Sequence, residues 1–338
     1  MVRLNYSFGK LAQIGRWLSC FSVSTVQASD SDYRTITEAC GWVDRSERGK
    51  LALTGNEAKS FLQGQVSNDV QSLTPGTGCY AAFLTPKGKM LGDLRILDTG
   101  DELLLDTERS SLQGLFNMIR RFSIGYAVEL HKRTLERGLI SLIGPGAAAV
   151  ADAEEMEASE HAHAVVDVGG ITARAIQTDV GIDLLCDGAD TEALIAALTE
   201  AGASPVSDEA AECVRIEHGR PRYGIDLDDS VIPQEAGLND RAVSFTKGCY
   251  VGQETVARLF YRGKPNRHLR GLALEGPVAS GDEIEFEGRV VGHAASTAIS
   301  PRLGAIALAL VRREAPPRAT VSVGDGRVSG TVVELPFV

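Results

Sequence analysis

The chain has no Cys-x-x-Cys pair. Its six cysteines, at positions 20, 40, 79, 186, 213 and 249, lie far apart in 338 residues. That spacing argues against a structural zinc site, a cluster held by cysteines alone, or a secreted disulfide framework. No apolar run approaches the roughly 20 residues that a membrane-spanning helix needs. A basic excess is missing too. Against 34 lysines and arginines stand 45 acids, for a net charge of −11, whereas a general polyanion binder would be basic overall. No internal repeat or low-complexity tract occurs. His161 and His163 flank one alanine, but no third histidine or nearby cysteine completes a metal site, and both are expected as exposed loop residues. These absences describe a reduced, cytoplasmic protein.

What is present is the composition of an ordinary globular protein, 43% hydrophobic and 23% charged, with room for two or three domains. Residues 1–29 differ: Arg3, Lys10 and Arg16 are their only charges, and the first acid is Asp30. An organellar (mitochondrial) transit peptide has this composition. So does a disordered bacterial extension. Residues 1–35 are expected to be an extension without fixed structure, outside the fold.

Periodicity predicts a short helix over Thr35–Cys40, a strand over Lys50–Leu53 and a helix with Ala58, Phe61 and Leu62 on one face. A polar loop containing Asn68 follows. Cys79–Leu84 and Met90–Leu97 form a hairpin, and Glu102–Asp106 is a third strand. Thr107 is expected to cap a helix with Leu112, Leu115, Phe116 and Ile119 inward. Asp93 follows Gly92 among Leu91, Leu94 and Ile96, where the backbone can be approached closely; strand alternation alone equally allows a surface aspartate on an edge strand. Leu139–Ser207 alternates strands and helices, including a helix start over Pro145–Ala153. Ser207 caps the next helix, on which Ala210, Cys213 and Val214 share a face with Glu217 in its middle. A carboxylate there is costly unless paired, and Arg215 or Arg222 is the partner that pattern alone offers. Beyond Pro265, six short strands punctuated by glycine and proline indicate a small antiparallel barrel.

The densest run of reactive residue types is Lys247-Gly248-Cys249-Tyr250-Val251-Gly252-Gln253-Glu254. Lys247, held beside Cys249, would favour the thiolate. From Arg241 to Arg270 the positives are Arg241, Lys247, Arg258, Arg262, Lys264, Arg267 and Arg270, with Glu254 as the single acid. Such a strip on an acidic chain points to a specific small anion. It is poor in aromatics, Tyr250, Phe260 and Tyr261 among the few, which disfavours nucleic acid.

Lys-Gly-Cys-Tyr-x-Gly-Gln-Glu closely resembles the signature of the YgfZ-type folate-binding proteins. These are relatives of the glycine-cleavage T-protein (aminomethyltransferase) that are linked to iron–sulfur cluster assembly and repair. The resemblance runs from about Ala39 to the C-terminus. It implies an α+β clover-leaf of subdomains around a central channel over residues 36–264, with a C-terminal β-barrel over 265–338. Tetrahydrofolate, or a one-carbon derivative, would occupy the channel. T-proteins carry Asp-Asp-Leu where this chain has Gly92-Asp93-Leu94, so Asp93 would face the reacting nitrogen. Arg215-Ile216-Glu217-His218-Gly219 fits the motif whose glutamate grips the pterin edge in a bidentate way. Asn68, Tyr250 and Arg258 would complete the folate site, and Lys247 or neighbouring arginines would attract the glutamate tail. Cys249 would line the channel as the reactive group.

The resemblance implies a tetrahydrofolate-binding protein supporting the assembly or repair of iron–sulfur enzymes, with client or assembly proteins as partners. The alternative is a folate-dependent aminomethyl or one-carbon transferase: retained Glu217 and Asp93 favour it, whereas T-proteins usually lack the Lys-Gly-Cys run. A cluster scaffold built on Cys249 would need two chains or an outside thiol.

Overall fold

Alternating burial sorts residues 25–338, the part that this computed structural model describes, into three sheets joined by short helices. The N-terminal elements are β1 (Val26–Gln27), α1 (Asp30–Glu38), β2 (Gly41–Asp44), β3 (Gly49–Thr54), α2 (Ala58–Gln63), β4 (Gly78–Leu84), β5 (Met90–Asp98) and β6 (Leu103–Thr107). Then come α3 (Arg109–Phe122), β7 (Glu129–Lys132), β8 (Arg137–Ile143), α4 (Ala147–Val150), β9 (His163–Val168), β10 (Ile171–Gln177) and β11 (Gly181–Asp187). After these lie α5 (Thr191–Glu200), β12 (Ser204–Pro205), α6 (Asp208–Glu217), α7 (Asn239–Ala242) and α8 (Gln253–Arg262). The last six strands are β13 (Arg267–Leu274), β14 (Glu283–Phe286), β15 (Arg289–Ser300), β16 (Gly304–Arg312), β17 (Thr320–Val323) and β18 (Val328–Val333).

The first sheet runs β4-β5-β6-β3-β7 and the second β12-β2-β8-β11-β10-β9. The third is the expected barrel: β14, β17, β18, β13, β16 and β15 pair in a ring, closed by the β15–β16 ladder. Closure leaves those six strands no free edge.

Within the first sheet, successive residues of β5 point to opposite faces. Leu94 and Ile96 enter a core with Phe83, Leu105, Leu115 and Ile119. Asp93, Arg95 and Leu97 take the other face, where Leu97 packs with Leu104 and Ile176. This places a charged patch between two sheets. β5 is an interior strand, so the edge-strand possibility for Asp93 is removed.

Several expectations are corrected. Residues 1–24, and with them the transit-peptide reading and Cys20, lie outside the described residues. Residues 25–35 are folded: β1 adds to the barrel in parallel with β15, and α1, capped by the Ser29 hydroxyl, packs Tyr33 and Ile36 into a core with α6 and the barrel. Thr107 ends β6 instead of capping α3, and its hydroxyl donates to the Asp93 carbonyl at 2.5 Å. The Ser207 hydroxyl donates to Asp32 of α1 (2.6 Å) and makes no capping bond. His161 and His163 are buried, not exposed: β9, an edge strand of the second sheet, begins at His163, whose amide donates to the Gly76 carbonyl (2.8 Å), so this end of the strand packs against the segment that leads into β4.

Candidate functional site

Between the first two sheets and α6 lies a cavity of about 270 Å³, lined largely by charged side chains. Arg95 forms its floor, bonding Asp183 (2.7 Å) and Asp106 (2.9 Å). Arg48 also holds Asp106 (2.8 Å) and pairs with Glu108. On α6, Arg215 holds Glu212 and Asp226. Arg220 holds Asp179, and Arg241 pairs with Glu160 while its guanidinium lies 5.1 Å from the Tyr80 ring centre. Buried ions matched in this way satisfy one another.

Asp93 is the exception. It is 5% exposed, and among the described residues no cation forms a salt bridge with it. The other acids lining the cavity each have an arginine, apart from the exposed Glu47. Burial pushes the Asp93 carboxyl up to about 6, against the pull of the neighbouring Tyr80 hydroxyl and Arg48. Gly92 lets this stretch pack: a Cβ there would meet the Phe83 ring at 2.6 Å and Ser111 Oγ at 2.7 Å.

Glu217 lies elsewhere. It lines a second, adjoining recess of about 500 Å³, which shares Ile143, Thr178, Asp179, Val180, Val214 and His218 with the first. Its carboxylate accepts from the Tyr33 hydroxyl at 2.9 and 3.0 Å and from the Ser300 hydroxyl, with Arg302 3.6 Å away. Neither Arg215 nor Arg222 pairs with it. It ties α6 to α1 and the barrel, and the acid of α6 that shares the Asp93 cavity is Glu212.

The Lys247–Glu254 segment also departs from expectation. The Lys247 ammonium is not a partner of Cys249. It donates to the carbonyls of Gln63 (2.7 Å), Val66 (2.8 Å) and Asn68 (2.7 Å) and lies 5.1 Å from the Tyr250 ring centre. Burial lowers its pKa to about 8, while the three acceptors favour the cation, so it is charged at neutral pH. The thiol in its field is Cys79, which burial pushes up to about 12. Tyr250 is buried in a core with Leu84, Met90 and Val256. Gly252 precedes α8 with φ +87°, and a Cβ there would meet the Thr85 carbonyl at 2.6 Å. Cys249 is exposed, whereas Cys40, Cys186 and Cys213 are buried.

The basic strip does not form one surface. Arg241 enters the cavity, Lys247 is enclosed, and Arg267 bonds Glu235. Arg258, Arg262 and Lys264 are exposed and make no salt bridge with a described residue, beside Phe260 and Tyr261, which cluster with Phe245. Arg258 is not among the residues that line the cavity. The Asn68 amide donates to the carbonyls of Tyr80 (2.8 Å) and Arg241 (3.0 Å), so it positions two cavity residues from behind.

Family models match almost the whole chain: the GCVT N-terminal domain over residues 7–247 and the glycine cleavage T-protein C-terminal barrel domain over residues 267–338. The chain belongs to the glycine-cleavage T-protein family. The first match begins upstream of Ala39. Within the family, the chain is 32% identical over 247 residues to the tRNA-modifying protein YgfZ of Colwellia psychrerythraea, covering 72% of this chain and 75% of that one. A putative chloroplastic transferase of Arabidopsis thaliana is 29% identical over 308 residues, 88% and 71% of the two chains. The aminomethyltransferase T of Bartonella henselae superposes with a TM-score of 0.80 at 22% identity, covering 91% and 89%, which supports the fold alone. Among the described residues, no helix is long and apolar enough to cross a membrane and no cluster of metal-ligating side chains occurs.

Sequence reasoning picked out Asp93 but missed Arg48, Arg95, Asp106 and Glu212. The one available signal was Asp93-x-Arg95 inside an apolar strand, where two ions two residues apart must share a face.

Proposed function

We propose that the cavity binds a tetrahydrofolate, whose reacting nitrogen lies against Asp93. The observation that carries this reading is the unpaired burial of Asp93 in a cavity whose other buried acids are paired. Groups that folding leaves uncompensated gather at functional sites. The lining suits the ligand: Tyr80 and Tyr223 offer aromatic surface, and Arg45, 3.6 Å from the exposed Asp208, offers a cation for a carboxylate tail. With a pKa near 6, Asp93 is mostly ionised at neutral pH and able to take a proton from an amine. Lys247 has no part in binding the tail. Glu217 acts through the fold.

The same reading assigns the protein to the assembly or repair of iron–sulfur enzymes, with Cys249 as the working thiol and client or assembly proteins as partners. Its support is the family signature and the exposure of Cys249. A folate-dependent aminomethyl transferase is the second reading, favoured by the poised Asp93.

Calorimetric titration with tetrahydrofolate tests the first claim, and no binding at millimolar ligand ends it. Turnover with aminomethylated carrier protein supports the transferase. In cells lacking the native protein, Cys249→Ala should fold normally yet fail to restore iron–sulfur enzyme activity; full rescue removes the thiol role.

A further inference from the structure

His161 lines the cavity, 9% exposed, and neither of its ring nitrogens is hydrogen-bonded to a described residue. Nδ1 is enclosed without a partner. Nε2 is 3.7 Å from Glu160 Oε1, too far for a hydrogen bond. His163, two residues on, shows the ordinary structural arrangement. Its Nδ1 meets Arg174 at 2.9 Å and its Nε2 meets the Thr77 carbonyl at 3.2 Å. Buried polar groups without partners are rare and costly.

The backbone adds a second cost. His161 has φ +72°, in the left-handed region that residues with a β-carbon seldom occupy. Strain of this kind persists only where surrounding structure enforces it, and it gathers at ligand sites. Here the His161 amide donates to the Gln177 carbonyl at 2.9 Å, and the imidazole lies 6.5 Å from the Tyr80 ring, tilted by 34°. Burial, with Arg95 and Arg241 nearby, holds its pKa down at about 4 despite Glu160 and Asp183. The ring is therefore neutral, with one donor and one acceptor nitrogen.

We propose that His161 is a ligand-contacting specificity residue, whose Nε2 makes a hydrogen bond to the polar edge of a planar heterocycle held near Tyr80 and Asp93. The proposal rests on the folate reading and deepens it. Nε2 of a neutral ring donates to a C=O or accepts from an N–H, according to tautomer, and a pterin edge carries both groups, while the glutamate tail is left to the arginines.

The test uses the full chain with 15N-labelled histidine, whose six residues allow assignment by His161→Phe. Adding tetrahydrofolate to the unsubstituted protein should move the His161 side-chain nitrogen signals. His161→Phe keeps a ring and the strained backbone but removes both nitrogens. It should bind about tenfold more weakly, the loss of one hydrogen bond. A merely structural histidine would alter the melting temperature without moving either readout. Nitrogen signals that stay in place overturn the proposal, as does an affinity of His161→Phe within about twofold of the parent. Should His161→Phe fail to fold, His161→Asn, a residue that tolerates the left-handed backbone, supplies the assignment, and the parent's signals decide. Failure of the unsubstituted protein to take up tetrahydrofolate ends the folate reading and this proposal together, whereas binding with unmoved signals ends this proposal only.

Discussion

Lys247 and Asp93 are both buried ions, and the structure keeps them in opposite ways. The lysine has three carbonyl acceptors at 2.7–2.8 Å. The aspartate forms no salt bridge with a cation among the described residues, and burial works against its charge. In the signature segment, the eye-catching residue types are absorbed by the fold: Lys247 locks a loop, Tyr250 fills a core and Gly252 permits a turn. Around Asp93 the residues come from far-apart parts of the chain, and the ion at their centre is left poised. Satisfied burial marks scaffold here, and uncompensated burial marks the site.

The sharpest way to break that contrast is to delete the lysine. Lys247→Met should cost about 3–5 kcal/mol of stability by orphaning three buried carbonyls, measured by urea unfolding, and should leave the alkylation rate of Cys249 unchanged. A loss under about 1 kcal/mol would show that the loop does not depend on the ammonium.

Asp93→Asn should act in the other direction. The folded-state pKa of about 6 lies above the unfolded value, so the native state holds its proton longer. Stability from this group is full below about pH 4 and is lost as pH rises through 6. Asparagine removes the penalty. The variant should be more stable than the parent by on the order of 3 kcal/mol at pH 8, with the advantage fading by pH 4. Its folate chemistry should fall about a hundredfold or more. Equal stability at pH 8 would mean that Asp93 is compensated after all.

Glu217→Ala should cost about 2–3 kcal/mol through the orphaned Tyr33 and Ser300 hydroxyls, while binding of tetrahydrofolate by the folded fraction changes little. A large affinity loss with unaltered melting would return Glu217 to the ligand. Smallest of all, Cys249→Ala should shift stability by no more than about 0.5 kcal/mol, since the thiol is exposed; a larger loss would make it a packing residue.

The barrel was readable because its strands are short, regularly spaced and separated by glycine and proline, a local signal. The helix stripe carrying Cys213 and Glu217 was readable for the same reason. The partners were not. Lys247 is held by backbone carbonyls nearly two hundred positions away, and carbonyls carry no signature in a sequence. Glu217 meets Tyr33 and Ser300 across two domains, so pattern offered only the nearer arginines. Thr107 has the composition of a cap, yet pairing with β3 drew it into a strand.

β1 joins β15 of the barrel in parallel, with Val26 opposite Ala298, and the Thr25 hydroxyl reaches the Val278 carbonyl at 2.7 Å. Phe337 in turn donates its amide to the Glu217 carbonyl. The molecule is therefore buckled across some 270 residues. During synthesis, an early strand must wait for the barrel to emerge before it finds its neighbour, and such non-local pairings are slow to form. Until then Val26 and the apolar face of α1 are uncovered and open to non-native contacts.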